Sequence, residues 1–133
     1  MKKFNFRLQP VLKYREHLEN LAQQEYVKAC MDVVKANEQI VQMEQEYRVI
    51  IDIVEQKTVK GISAQLFRQY CEYQDSLEND IDLKRKEHEQ LQRIAAVKLQ
   101  ALTKKSVERK VIERLKDKKR SEYVDEFQME EQK

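Results

Sequence analysis

The stretch "EQKTVKGISAQLF", residues 55–67, decides how this chain folds. It holds the only glycine of the 133 residues, Gly61, with β-branched Thr58 and Val59 just before it and Ser63 just after. Thr58 and Val59 interrupt a good helical pattern, and glycine suits the turn that ends a helix. Serine is a favoured N-cap. With Ser63 as the cap, Ile62 stands at N′ and Phe67 at N4, the spacing of a hydrophobic staple. The stretch reads as a helix stop, a short turn and a helix start. The only proline, Pro10, fits the first turn of a helix. The expectation is an all-α chain forming a single coiled-coil domain over residues 1–133. Helix one covers about 9–57, the turn 58–62 and helix two about 63–131.

Composition agrees. One glycine and one proline leave few turns, and a β or α/β fold needs many. With 38% charged and 41% hydrophobic residues, the chain has the make-up of long helices. No window approaches 18 consecutive apolar residues, the length of a membrane span. "MKKFNFRLQP" has a basic start without an apolar core, so no signal peptide is expected. Two cysteines make no disulfide framework, and free thiols in a cytosolic protein are the default.

Apolar residues at alternating steps of three and four trace one track per helix. On helix one the track is Val11, Tyr14, Leu18, Ala22, Tyr26, Ala29, Val33, Ala36, Ile40, Met43, Tyr47, Ile50 and Val54. On helix two it is Leu66, Tyr70, Tyr73, Leu77, Ile81, Lys84, His88, Leu91, Ala95, Leu99 and Leu102. A four-four-three interval, a stutter that locally unwinds a supercoil, runs from Leu18 to Ala29 on helix one and from Leu91 to Leu102 on helix two. If the chain folds back near residue 60, facing residue numbers add to about 120. Leu18 then faces Leu102, Ala29 faces Leu91, and the stutters align. This predicts an antiparallel coiled-coil hairpin with roughly 70 Å of paired length.

In that register helix two outruns its partner. "ERLKDKKRSEYVDEF", residues 113–127, would project as a single helix carrying Leu115, Tyr123, Val124 and Phe127 among its charges. It is a candidate binding surface or a frayed terminus. Residues 104–120 hold nine Lys/Arg against three Asp/Glu, whereas residues 121–133 hold five Asp/Glu and one Lys. The plain reading is a solvated helix face. A nucleic-acid role is the weakest alternative, because Glu108, Glu113 and Asp117 interleave with the basic residues.

No phosphate loop, HExxH or CxxC motif is present. Cys30 and Cys71 do not face each other in this register, nor do His17 and His88. No catalytic, cofactor-binding or metal-ligating set is expected, and the chain is not expected to be an enzyme. Tyr47, Phe67, Tyr70 and Tyr73 cluster near the turn. They are wide seam layers or, since a two-helix seam covers only part of a large ring, an exposed aromatic patch of the kind that anchors partners.

"FNFRLQPVLKYREHLENLAQQEY", with its F-x-F-x-L followed by V-L and R-E, resembles the opening of the flagellar export protein FliJ family. "GISAQLFRQYCEYQDSLENDI" is similar to the family's segment after the turn, and "ERLKDKKRSEYVDEFQMEEQK" to its end. The family pattern runs a few residues further, with an Asp-Glu pair beyond Lys133. The resemblance implies a coiled coil similar to that of a rotary-ATPase γ subunit, working in flagellum biogenesis, motility and chemotaxis. It implies a cytoplasmic component of the type III protein export apparatus, peripheral to the inner membrane. The implied partners are the export ATPase hexamer, the cytoplasmic domain of the export-gate membrane protein and export chaperones, with no nucleic acid. On this analogy the ATPase would meet Phe4, Phe6, Leu8, Leu115, Lys118, Lys119, Arg120, Tyr123, Val124 and Phe127. The gate or a chaperone would meet Tyr47, Phe67, Tyr70 and Tyr73. The alternative is a structural or oligomerising coiled coil.

Overall fold

Two helices make up almost all of the described chain. The computed structural model of the protein describes residues 3–132. Helix α1 spans Gln9–Lys60 and helix α2 spans Ala64–Gln132, with no strand among the described residues. The helices pack against each other antiparallel, as ion pairs from early in α1 to late in α2 require.

The turn is built as its residues dictate. Gly61 has φ 90°, the left-handed conformation that closes a helix, and its N–H donates to the Thr58 carbonyl at 3.2 Å. Ser63 caps α2, its Oγ accepting the Leu66 N–H at 3.1 Å. The expected stop at residue 57 is three residues early. Thr58 sits within the helix, its Oγ1 donating to the Val54 carbonyl at 2.7 Å. Lys57 and Lys60 in the last turn complement the negative end of the helix dipole.

Contacts divide the chain into two compact units. The turn unit comprises Lys28–Ala95, and the terminal unit joins the stretch up to Val27 to that from Ala96 onward. In the turn unit the buried side chains are Ala29, Ala36 and Ile40 of α1 and Leu77 and Ile81 of α2. Their three- and four-residue spacings put each set on one helical face. In the terminal unit the buried apolar side chains are Phe6 and Leu12.

The register near 120 is corrected in both units. In the terminal unit the residue numbers of Arg15–Glu108, Glu19–Arg109 and Glu25–Lys98 add to between 123 and 128. In the turn unit those of Glu44–Arg85, Tyr47–Glu78 and Lys57–Tyr70 add to between 125 and 129. Neither Leu18 with Leu102 nor Ala29 with Leu91 therefore shares a level. Much of the shift follows from the longer α1. The linker is residues 61–63, centred on Ile62 rather than on residue 60.

The apolar tracks are corrected at four places. Leu12, 3% exposed, and half-buried Arg15 face inward in place of Val11 and Tyr14, the latter 60% exposed. On α2 half-buried Gln74 and Lys98 replace exposed Tyr73 and Leu99. The inward positions Leu91, Ala95, Lys98 and Leu102 then follow a regular heptad, and a four-four-three interval falls instead at Leu66, Tyr70, Gln74 and Leu77. Charged residues can hold inward positions here because their stems pack while their heads reach solvent or a partner.

Candidate partner-binding surfaces

The N-terminal segment ahead of α1 shapes the first candidate surface. Phe4 and Phe6 precede a turn at Arg7 and Leu8 that leads into α1. The Gln9 N–H donates to the Phe6 carbonyl at 3.1 Å and the Leu12 N–H to the Leu8 carbonyl at 2.9 Å, which turns the segment into the helix. Phe6 is 8% exposed. The Phe4 ring lies 5.6 Å from that of Tyr123, tilted by 50°, and the Arg120 guanidinium stands 5.6 Å from the Phe4 centroid. Tilted ring pairs and cations over ring faces are favourable geometries.

This corrects the picture of α2 projecting bare. Observed pairs in the terminal unit place Gln9 level with residues 114 to 119, and the helix continues to Gln132, so α2 does overhang α1. The N-terminal segment lies along part of that overhang, sharing a groove with Leu115, Lys119, Glu122, Tyr123 and Glu126. Leu8, Leu115, Tyr123 and Phe127 are half-buried. Lys118, Lys119, Arg120 and Val124 are exposed. Segment and helix thus form one composite surface, apolar inside, with Lys119 and Arg120 beside Glu122 and Glu126 at its rim.

Below it lies a network that apolar-track reading passed over. Arg15 Nη1 donates to Glu108 Oε2 at 2.7 Å, and Arg109 Nε donates to Glu19 Oε2 at 3.1 Å. Arg109 also pairs with Glu113. Burial pushes the Glu19 carboxyl up, but hydrogen bonds from Ser106 and Arg109 with the nearby positive charges outweigh it. Its pKa therefore lies below the ordinary 4.5. The available signal was charge spacing: Arg15 and Glu19 are i,i+4, as are Arg109 and Glu113.

The turn unit holds the second candidate surface. Phe67 and Tyr73 are exposed, and Tyr47 and Tyr70 half-buried. Lys57 Nζ stands 5.4 Å from the Tyr70 centroid. The Tyr47 hydroxyl donates to Glu78, and this bond to a carboxylate holds the phenol above its ordinary pKa of 10.0. Tyr73 borders a shallow hollow with Val49 and Ile50.

Cys30 and Cys71 are free and half-buried. His17 is exposed and His88 half-buried. No group of three metal-ligating side chains gathers among the described residues, and none of the described helices is long and apolar enough to cross a membrane.

The described residues thus form a helical hairpin with a capped glycine turn and an aromatic N-terminal strap. The family model described as flagellar FliJ protein matches residues 4–133. The chain belongs to the FliJ family. No curated protein and no solved structure matches it. FliJ-family membership makes it a flagellar export-associated protein, of a family whose members are non-enzymatic components of that apparatus. The match covers both the strap and the overhang.

Proposed function

We propose that this FliJ-family chain is a coiled-coil adaptor of the type III flagellar export apparatus, coupling the export ATPase ring to the export gate and its chaperones. The observation that carries this reading is the composite end of the terminal unit. There the Phe4–Phe6 strap and α2 present exposed Lys119, Arg120 and Val124 around half-buried Tyr123 and Phe127. Basic groups speed encounter with an acidic partner, and apolar anchors supply affinity. The ATPase ring is assigned to this end. The exposed rings of Phe67 and Tyr73, beside Tyr47 and Tyr70, are assigned to the gate's cytoplasmic domain or a chaperone.

The direct test is equilibrium binding of the purified chain to purified export ATPase hexamer. Saturable binding is expected, weakened at least tenfold, about 1.4 kcal/mol, by Lys119→Glu with Val124→Asp. Both residues are exposed, so helicity should be kept. An unchanged dissociation constant would remove the assignment. Truncation after Leu115 is a blunter instrument, because it also strips the helix against which Phe4 and Phe6 pack.

A further inference from the structure

In sequence, residues 104–120 look mixed in charge. The fold sorts them. Glu108 is engaged by Arg15 of α1 and Glu113 by Arg109 within α2, while exposed Asp117 falls outside the spacing of the basic residues. The far side of α2 keeps Lys104, Val107, Val111, Arg114 and Lys118 at steps of three and four, all exposed. Lys104, Arg114 and Lys118 make no ion pair with any described residue. The same face continues through Glu122, Asp125 and Met129, also exposed. One helical stripe is therefore basic in its first half and acidic in its second. It has an apolar residue near each end, Val111 at 59% and Met129 at 64% exposure.

Such a stripe matches its own reverse. An isologous contact needs a patch complementary to itself after a two-fold rotation. Reversal about the level of residue 120 brings Lys118 against Glu122, Arg114 against Asp125 and Val111 against Met129, each twice. Arg120 does not sit in this contact, because its guanidinium is turned toward the Phe4 ring. The span from Val111 to Met129 is roughly 27 Å of helix. An anionic membrane or nucleic acid fits less well, because the acidic half would be repelled along the same line.

We propose that two copies of this chain pair antiparallel through the outer face of α2, with the basic half of each lying on the acidic half of the other. The contact is mainly electrostatic, so it is weak and salt-sensitive. It does not depend on the ATPase assignment and uses neither Lys119 nor Val124.

Sedimentation velocity of the full chain tests it. A concentration-dependent dimer is expected at low ionic strength, dissociating at about 1 M salt, where the screening length is about 3 Å. The acidic variant Arg114→Glu/Lys118→Glu and the basic variant Glu122→Lys/Asp125→Lys should each self-associate at least tenfold more weakly. Mixed in equal amounts they should form a heterodimer, since every facing pair is then opposite in charge. That recovery also shows that both variants are folded. A wild-type chain that stays monomeric at every concentration would overturn the proposal. So would single variants that dimerise like wild type, or a mixture that does not associate. Capture of the monomer by anionic phospholipid vesicles, lost in the acidic variant, would assign the face to a membrane instead.

Discussion

The turn unit and the terminal unit use the same two helices in different ways. In the turn unit the buried side chains are apolar and small to medium in size: Ala29, Ala36 and Ile40 on α1 and Leu77 and Ile81 on α2. Their burial is the hydrophobic seam of the molecule. In the terminal unit the inward positions include Arg15, Glu19, Glu108 and Arg109, and apolar burial is concentrated in Leu12 and in Phe6 of the strap. The turn unit draws stability from area removed from water, which salt does not screen. The terminal unit depends on paired charges and on one aromatic plug, so it should respond to salt, pH and competition by a partner.

The sharpest way to break this contrast is in the turn unit. Ile81→Ala should destabilise the hairpin by about 3 kcal/mol, the usual scale for deleting a buried aliphatic side chain, read as a fall in the urea midpoint without lost cooperativity. Phe6→Ala should lower the urea midpoint less, because it frees a terminal strap and leaves the two-helix seam closed. Its effect should be local. Amide exchange should accelerate around residues 115–126, with little change around Ile40. If Phe6→Ala lowers global stability as much as Ile81→Ala, the two units do not differ as described.

Gly61→Ala should cost about 1 kcal/mol. The cause is backbone strain alone, since an added Cβ at Gly61 would meet nothing within 4 Å. A d-alanine at the same position should not pay it. The smallest effect concerns Glu19. Its folded pKa lies below 4.5, so its contribution is present at neutral pH. That contribution is lost as pH falls below about 4.5 through the folded value. Glu19→Gln should reduce stability at pH 7 by under about 1 kcal/mol, and the difference should shrink as pH falls through the folded pKa. A difference that grows toward acid pH would contradict the sign.

Much of this was legible in the sequence, because the signals were local. Gly61 and Ser63 are a stop and a start within three residues, and both act as such. From Leu18 to Val54 the apolar track of α1 is half-buried or buried throughout. Failures came where the deciding interaction was invisible to a hydrophobic pattern. Thr58 stays helical, its hydroxyl bonded to the Val54 carbonyl one turn back. Arg15 takes an inward position that Tyr14 appeared to claim, because Glu108, distant in sequence, accepts its guanidinium. Those shifts moved the register by about half a dozen residues and removed an apparent alignment of stutters. The strap was half legible. F-x-F-x-L marked Phe4, Phe6 and Leu8 as a set, but alternation cannot say that their partner is a helix more than a hundred residues away.

The central claim is that ATPase engagement belongs to the terminal unit and not to the turn unit. One titration tests it: purified export ATPase hexamer against the wild-type chain, Lys119→Glu/Val124→Asp, and Phe67→Ala/Tyr73→Ala, all at one ionic strength. The account expects at least a tenfold loss of affinity, about 1.4 kcal/mol, for the terminal variant and an unchanged constant for the turn variant. Equal losses in both, or a loss confined to the turn variant, would contradict it.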